Sequence, residues 1–329
     1  MLQIEKWRRM LLFGVLLLPW VAMAAEQIKE VEVKWDRPPY QPIEILNKRG
    51  PPKDSWSFVA FGDPHIRPAE VADPTWNTIL KLVEAQKPSL VLLLGDIAVG
   101  REGGAGNVES WKQFFAISQK TLDNAPWFFA IGSYDVKGMT PSVYDQIFKG
   151  PETTAERGYY AFDYGNTRFI HCLCGNDPSE PLMNKGLKEW LEAQFASFKG
   201  EHVILFNHCP PYTPTKYRYR AGKWLRDLEQ SLYSKYLDKF TVTMISGHVH
   251  HYYRTCRSDA NYFTICAGLG GNFGANRLMD KERQEVVAGD VSLAEEGVGV
   301  FTVEGQTIRY EYKDFNGKVL DKHTISKAR

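Results

Sequence analysis

The sequence predicts an α/β fold with either one mixed sheet or two sheets. Three observations support this prediction. Short apolar runs of strand length recur along the chain, segments with helical spacing lie between them, and the tail alternates apolar and polar residues. The 329 residues are 43% hydrophobic, which suffices for a large core and is too high for a disordered chain. We find no internal repeat and no second domain boundary.

The first half of the pattern predicts three buried strands and two helices. The strands are predicted at 57–61, 90–94 and 127–131. Each is almost wholly apolar, as is typical of strands covered on both faces. An Asp-Pro pair at 73–74 supplies the N-cap and first position of a helix that runs to about Gln86. A second helix is predicted at 109–122.

The second half repeats this rhythm and ends in an antiparallel tail. Strands are predicted at 159–162, 167–173, 202–206, 241–245 and 262–267, and helices at 187–198 and 224–237. The tail from 299 to 325 alternates like strands, with a hairpin signal at Asn316-Gly317.

The N-terminus has the pattern of an export signal. A basic start precedes an apolar run from Met10 to Trp20, and Ala22-Met23-Ala24 supplies the small residues of a cleavage site. We therefore expect a signal peptide at 1–24, an arm or linker at 25–55, and one domain at 56–329. The predicted location is outside the cytoplasm, either periplasmic or secreted.

Charge and hydropathy argue against a nucleic-acid-binding protein and against a membrane span after the signal. The net charge of +1 becomes about −1 once the signal, with three basic residues and one acidic residue, is removed. No clustered basic surface indicates a nucleic-acid-binding protein. No later apolar stretch reaches the ~20 residues that a membrane span requires.

The five cysteines leave the disulfide pattern open. An odd number means that at least one is unpaired within the chain or pairs between chains. Cys256 and Cys266 flank a turn-like segment and have the spacing of a bridge between two strands. Cys172 and Cys174 lie in a predicted strand, where packing in the core is the alternative to pairing.

Polar clusters follow five of the predicted strands. These are Gly62-Asp63-Pro64-His65, Gly95-Asp96, Gly132-Ser133-Tyr134-Asp135, Asn207-His208 and Gly247-His248-Val249-His250. Ligands of α/β sheets gather at the carboxyl ends of strands, so one site is expected to collect these residues. Aspartate and histidine are ligands for divalent and trivalent transition metals. The ordered set therefore predicts a metal site, although each motif alone is weak.

This ordered set resembles the calcineurin-like metallophosphoesterases, the superfamily that includes purple acid phosphatases. The family pattern is Asp-x-His, Gly-Asp, Gly-Asn-His-Asp/Glu, His and Gly-His-x-His. The resemblance covers residues 56 to 271 and implies two packed mixed sheets flanked by helices, a four-layer sandwich. It also implies a ligand set for two metals: Asp63, His65 and His250 for one, His208 and His248 for the other, with Asp96 bridging them.

The resemblance further implies hydrolysis of a phosphate ester by a water that two metal ions activate. Manganese, iron, zinc and nickel are the family's options. The expected partner is a phosphorylated small molecule or another phosphoester, which the metals would bind through its phosphoryl oxygens. Mono- and diester substrates both remain open.

The third motif departs from the family pattern. Ser133 replaces an asparagine that ligates the second metal, and Tyr134 replaces a histidine that contacts phosphate and protonates the leaving group. The second metal site is therefore expected to be weakened. Tyr134 and Asp135 are the candidate catalytic residues, and Ser133 and Tyr134 the candidate substrate-binding residues.

These departures leave three outcomes. Tyr134 donates a hydrogen bond to the leaving oxygen, or the enzyme accepts only esters with good leaving groups, or the chain is a pseudoenzyme that binds a ligand or partner. A general acid contributes ~10²–10⁴-fold, so its loss slows the reaction without abolishing it. We favour a working but atypical hydrolase, with the catalytically impaired binding protein as the alternative.

Overall fold

The computed structural model of the chain describes residues 35–68, 75–99, 105–132, 134–135, 146–149, 159–172, 185–214, 220–257, 259–265 and 287–327. All of them belong to one unit that starts at Val33. Several predicted features lie outside the described residues: the signal peptide 1–24, the N-cap at 73, Ser133, Cys174 and Cys266. No helix within the described ranges is long and apolar enough to cross a membrane.

Thirteen strands and five α-helices are present in the described residues. The strands are β1 (Ser55–Phe61), β2 (Leu90–Leu94), β3 (Trp127–Ala130), β4 (Tyr159–Tyr164), β5 (Thr167–Cys172), β6 (His202–Phe206), β7 (Thr241–Ser246), β8 (Tyr252–Arg257), β9 (Ala260–Thr264), β10 (Val291–Leu293), β11 (Val298–Glu304), β12 (Thr307–Lys313) and β13 (Val319–Ser326). The helices are α1 (Pro42–Arg49), α2 (Thr75–Gln86), α3 (Ala105–Asn124), α4 (Lys185–Ser197) and α5 (Arg220–Ser231).

The strands form two mixed sheets, which confirms the predicted α/β class. The first sheet has the order β13-β12-β11-β1-β2-β3, with β1, β2 and β3 parallel. The second has the order β10-β8-β9-β7-β6-β5-β4, with β5, β6, β7 and β9 parallel. The remaining neighbours pair antiparallel.

The two sheets pack face to face through aromatic side chains. Phe128 of β3 stacks on Phe162 of β4 with ring centroids 3.7 Å apart, and Phe58 of β1 meets Phe169 of β5 edge-on at 5.3 Å. All four side chains are buried. Burying a phenylalanine side chain fully stabilises the folded state by ~1.5–3 kcal/mol. The sheet-on-sheet interface is therefore the main core of this part of the chain.

Helices cover the outer faces of both sheets. On the first sheet, Phe61 points away from the inner core and contacts Trp76 of α2, while Trp127 contacts Phe114 of α3. On the second sheet, a separate buried cluster joins helices α4 and α5 to the strands. Its buried aromatic members are Tyr159, Phe195, Phe198, Tyr233, Phe240 and Tyr262. Burial on both faces explains why the central strands are almost continuously apolar.

The segment predicted as an arm contributes to the folded unit. It contains α1, whose Leu46 is buried, and it pairs with the rest of the chain through a bridge between Tyr40 and Phe148. The backbone N–H of Trp127 donates to the Tyr40 hydroxyl at 2.9 Å. Five prolines between 26 and 54 obscured this helix in the sequence. Proline at the first helical position, as at Pro42, is compatible with a helix start.

Several other elements differ from their predicted bounds or were not predicted. The helix predicted to reach 237 ends at Ser231 and is followed by a 3₁₀ turn, Tyr233–Lys235. Tyr233 is buried, so its apolar spacing extended the helical pattern past the true end. Strand β8 was not predicted, and β9 begins two residues earlier than expected.

Hydrogen bonds between loops draw the strand ends of both sheets together. After β1, the N–H of Gly62 donates to Ile265 at 3.1 Å and that of Asp63 donates to Gly95 at 2.9 Å. After β7, the N–H of Gly247 donates to the carbonyl of His208 at 2.9 Å. The carboxyl ends of the parallel strands consequently open onto one shared region.

Candidate metal centre

Six predicted ligands converge at this shared region in two groups. The first group contains Asp63, His65 and His250, and the second contains Asp96, His208 and His248. Within each group, one donor atom from each residue lies within 4.8 Å of the others. Asp63 and His208 are fully buried, and His65 is 7% exposed. The structure thus brings together the two ligand sets that the sequence predicted.

The first group is built around one oxygen of Asp63. Asp63 Oδ1 lies 3.5 Å from Nε2 of His250, whose ring centroid is 4.9 Å from that of His65. The other carboxylate oxygen, Oδ2, accepts the backbone N–H of His248 at 2.8 Å. That hydrogen bond holds the carboxylate so that Oδ1 faces the two imidazoles.

The second group is built around Nε2 of His208. This atom lies 3.2 Å from Asp96 Oδ2 and 2.9 Å from Nδ1 of His248. His208 Nδ1 lies 2.8 Å from the carbonyl oxygen of Leu94, which can only accept, so Nδ1 carries the proton. The lone pair of His208 is therefore on Nε2, the atom that faces Asp96 and His248.

Asp96 connects the two groups. Its Oδ2 lies 3.2 Å from His208 in the second group and 3.6 Å from Nε2 of His65 in the first. Its Oδ1 accepts the backbone N–H of Tyr134 at 2.9 Å. A carboxylate between two ligand groups is the arrangement expected for a bridging ligand.

The backbone at the ligands is held in an unusual conformation. Five of the six ligands have positive φ angles: Asp63 (59°), His65 (49°), Asp96 (50°), His248 (77°) and His250 (50°). Residues other than glycine adopt this left-handed region rarely, at a cost of ~1–3 kcal/mol each. Among the other described residues, glycines apart, only Lys87 and Asp259 share it. Such clustering is typical of functional sites.

Glycines beside the ligands provide space rather than flexibility. A Cβ on Gly132 would lie 2.3 Å from the backbone nitrogen and Oδ1 of Asp96, and one on Gly247 would lie 2.6 Å from Asp63 Oδ2. Of the glycines that precede the ligands, only Gly95 has a positive φ, at 85°. Close approach of the carboxylates is the main reason for Gly132 and Gly247.

Electrostatics keep both carboxylates and His248 in the protonation states that metals require. Burial alone would raise the pKa of Asp96, but His208 and His65 outweigh it, and the pKa lies well below its usual range. Burial would also raise the pKa of Asp63, but His250 and His208 outweigh burial and lower that pKa. Burial, reinforced by the neighbouring His208, lowers the pKa of His248 to about 4. Burial would likewise lower the pKa of His250, but its contact with Asp63 outweighs burial and raises that pKa in the absence of a metal. Deprotonated carboxylates and neutral imidazoles are the metal-binding forms.

The residues present fit a pair of divalent or trivalent metal ions. Asp63 Oδ1 and His65 Nε2 are buried, and neither has a hydrogen-bond partner among the described residues. Buried polar atoms are normally satisfied, so such atoms point to a partner of another kind. Nitrogen and oxygen donors in this ratio suit zinc, iron, manganese or nickel.

Asp135 is held in place by backbone N–H groups. Its Oδ1 accepts the backbone N–H groups of Ile97 (2.6 Å) and Ala98 (3.0 Å), and its Oδ2 accepts that of Gly132 (2.7 Å). Burial, reinforced by Asp96, raises the pKa of Asp135 to about 7. The carboxylate ties the loop after β2 to the loop after β3. These hydrogen bonds give Asp135 a positioning role in the fold, and its predicted catalytic role stays a prediction.

Tyr134 lies at the edge of the first group. Its ring centroid is 5.5 Å from that of His65, and the residue is half-buried. The predicted substrate-binding residue beside it, Ser133, lies outside the described part of the chain. The structure thus places Tyr134 beside the ligands, and the roles of Tyr134 and Ser133 stay predictions.

Sequence reasoning missed several residues that build the site. The carbonyl of Leu94 fixes His208, and His251 Nε2 lies 2.7 Å from Ser292 Oγ on β10, next to the ligand His250. Backbone carbonyls have no sequence signal. The pair of histidines at 250–251 did not indicate the second contact either, because the chain bends there and His250 has a φ of 50°.

Comparison with known proteins gives a family and a fold. A model of the calcineurin-like phosphoesterase family matches residues 57–252, more than half of the chain. No curated protein matches the sequence.

Three solved structures are similar in fold. Purple acid phosphatase PPD1 from yellow lupin (Lupinus luteus) seeds has a TM-score of 0.60 at 20% identity, over 83% of this chain and 54% of that one. This chain therefore spans about half the length of the lupin protein. GAP50, the anchor in the inner membrane complex of Plasmodium, has a TM-score of 0.58 at 14% identity, over 84% and 90% of the two chains. PhoD has a TM-score of 0.57 at 16% identity, over 83% and 70%.

Proposed function

Because the chain belongs to the calcineurin-like phosphoesterase family, we propose that it is an enzyme that hydrolyses a phosphate ester at a binuclear metal centre. One observation carries this proposal. Six buried or half-buried ligands form two adjoining groups that share the carboxylate of Asp96. Metal ions held by these residues would supply an activated water and would stabilise charge on the phosphoryl group.

Hydrogen bonds within the chain orient the residues that would hold the metals. Asp63, His65 and His250 would hold one ion, and His208 and His248 the other, with Asp96 between them. The Leu94 carbonyl fixes the tautomer of His208, and the backbone N–H of His248 orients Asp63. Such fixed orientation is what second-layer hydrogen bonds provide around metal ligands. Manganese, iron, zinc and nickel are the candidate ions.

A second candidate function is a binding protein on the same scaffold. Tyr134 and Ser133 favour it, since they replace residues that the family uses for the leaving group and the second metal. The fold occurs in GAP50, which is described as an anchor. The complete set of six ligands favours hydrolysis instead. We further propose that the protein acts outside the cytoplasm, on the strength of the signal pattern at 1–24.

Hydrolysis assays that compare the wild type with a variant lacking the bridging carboxylate test the enzyme proposal. p-Nitrophenyl phosphate and bis-p-nitrophenyl phosphate would be offered to the wild type and to Asp96→Asn, with added manganese, zinc, iron or nickel. We expect turnover by the wild type and a loss of at least about 100-fold in Asp96→Asn, since removing a main electrostatic contributor typically costs ~10²–10³-fold.

The matched control is Asp238→Asn. Asp238 is exposed and precedes β7 at the end of the sheet opposite the ligands, so the same change of charge there should leave turnover unaltered. Equal turnover in Asp96→Asn and Asp238→Asn would rule out the proposed centre. Metal-loaded wild type without activity on either ester would favour the binding protein.

A further inference from the structure

A groove of about 380 Å³ lies along one edge of the second sheet. Strand β4 is the last strand of that sheet, and its residues 159–163 line the groove. Helix α1 contributes Ile43 and Asn47, and helix α4 contributes Trp190 and Gln194. The members of each pair are four residues apart and therefore share one face of their helix. The groove is thus bounded by two helices and a strand edge, and none of the described residues that line it is a metal ligand.

An aromatic pair forms part of the groove wall. The indole ring of Trp190 packs on the phenol ring of Tyr159, with centroids 4.6 Å apart and planes tilted by 45°. Tyr159 is buried, whereas Trp190 is half-buried and contributes to the lining of the groove. Part of the indole surface is therefore available to a ligand, and Tyr159 holds it in place. The faces of aromatic rings attract C–H groups, so such a surface suits the C–H face of a sugar ring.

Neutral polar groups border the same groove. The side-chain amides of Asn47 and Gln194 and the indole N–H of Trp190 form no hydrogen bond with any described residue. An amide presents donor hydrogens and an acceptor oxygen a short distance apart, and adjacent hydroxyl groups present the complementary arrangement. The groove thus offers hydrogen bonds that the fold itself does not use.

The groove carries no net charge. Arg168 donates to both carboxylate oxygens of Asp163, from Nε to Oδ1 at 2.7 Å and from Nη2 to Oδ2 at 2.8 Å. Its Nη1 donates to the carbonyl of Gln194 at 2.7 Å and to Ser197 Oγ at 2.9 Å. Arg168 and Asp163 are the two charged residues among those that line the groove. An anionic ligand such as a phosphate would find no unpaired cation among them, so the groove favours a neutral ligand.

We propose that this groove binds a neutral mono- or disaccharide. A sugar ring has an apolar face of C–H groups, which the indole of Trp190 would contact, and a rim of hydroxyls, which the amides of Asn47 and Gln194 would bind. The groove volume lies at the lower end of the ~300–1,000 Å³ range of small-molecule sites, which suits one or two sugar rings. The inference does not depend on the proposed hydrolysis, because it uses none of the residues of the two metal-ligand groups.

The test is saturation-transfer-difference NMR on the wild-type protein with maltose, cellobiose and N,N′-diacetylchitobiose, each titrated separately. We expect saturable binding of at least one of these sugars. Trp190→Ala should weaken that binding by about tenfold or more, since a buried aromatic contact often dominates a small interface. Asn47→Ala removes one hydrogen-bonding group and should weaken the binding by about three- to tenfold. Asn47 is exposed, so this variant is expected to fold normally.

The matched control is Trp35→Ala. Trp35 is also half-buried, but its ring packs on Phe115 and it does not line the groove. This variant should bind the sugar as tightly as the wild type does. The melting temperature of each variant shows whether it is folded.

Two results would overturn the proposal directly. The first is the absence of saturation transfer to any of the three sugars, and the second is an equal dissociation constant in the wild type, Trp190→Ala and Asn47→Ala. Because β4 is an edge strand, a fourth probe is a neutral extended peptide, N-acetyl-Val-Thr-Val-Thr-amide. If the peptide binds and the sugars do not, the groove pairs with an extended chain and the assignment to a sugar is wrong.

Discussion

At the scale of single residues, the ligands are placed by contacts that oppose their local preferences. Asp63, Asp96 and His248 adopt left-handed backbone conformations, and the carboxylates are buried in a region that would by itself raise their pKa values. Both features cost free energy in the absence of a metal. The surrounding imidazoles and backbone N–H groups offset part of that cost. We infer that these conformations lower the local stability of the fold and that they hold the donor atoms in place.

The buried His171 gives a prediction about acid stability. Its side chain is 1% exposed, and burial lowers its pKa to about 4 from an ordinary value of 6.5. Below pH 6.5 the unfolded chain takes up a proton that the folded chain does not, so stability falls as the pH drops toward 4. The contribution between pH 7 and pH 5 is about 2 kcal/mol. Urea denaturation of the metal-free protein at both pH values measures it.

The control for this effect is His171→Phe, which keeps a ring next to Phe206 and cannot titrate. The variant is expected to be less stable at pH 7, because the carbonyl of Phe206 loses its donor. Its loss of stability between pH 7 and pH 5 should nevertheless be smaller than that of the wild type by about 2 kcal/mol. Identical losses in the two proteins would show that His171 does not cause the effect.

At the scale of elements, the parallel strands were predictable because they are buried on both faces. Strands β2 and β6 match their predicted bounds, and the ligands follow the ends of β1, β2, β6 and β7 as expected. Their length and continuous apolar character indicated these elements, since such a run ends where the chain reaches a loop.

The missed elements lack such a signal. Helix α1 lies in a proline-rich segment, and its stability depends on contacts of Tyr40 and Leu46 with distant residues. Strand β8 begins two residues after His250, where polar ligands and aromatic residues hide the alternation. The contacts of Asp135 were missed for a similar reason, because its partners are backbone groups of the loop after β2 and of its own loop. Tertiary contacts decide these features, and a single sequence does not record them.

The loop after β3 gives a prediction at this scale. Gly132→Ala would place a Cβ 2.3 Å from the backbone and carboxylate of Asp96, so either the loop or the carboxylate must move. We expect metal affinity to fall by at least about tenfold, as changes around metal ligands typically cost 10–100-fold. Isothermal titration with zinc or manganese measures this loss.

A second glycine variant separates the steric effect of an added Cβ from the backbone strain of replacing a glycine. Gly50→Ala adds a Cβ that meets nothing within 4 Å, at a residue with a φ of 75°. It should cost ~1 kcal/mol of stability through backbone strain and leave metal affinity unchanged. Unchanged metal affinity in Gly132→Ala would show that the close contact with Asp96 is not needed for binding.

At the scale of the whole molecule, the candidate centre joins the two sheets. Asp63 and Asp96 follow strands of the first sheet, whereas His208, His248 and His250 follow strands of the second. Each ligand group contains residues from both sheets. A site assembled across the sheet interface depends on the packing of the entire core, which is why its ligands are spread over almost 190 residues of sequence.

The most direct test of this account is the metal content of the purified protein, measured by elemental analysis after saturation with manganese, iron, zinc or nickel and removal of unbound ions. Two ligand groups that share Asp96 predict two ions per chain. Asp96→Asn should retain fewer than the wild type, because each group then loses a charged oxygen. A wild-type protein that saturates at one ion per chain, or binds none, would contradict the binuclear centre on which the proposed hydrolysis depends.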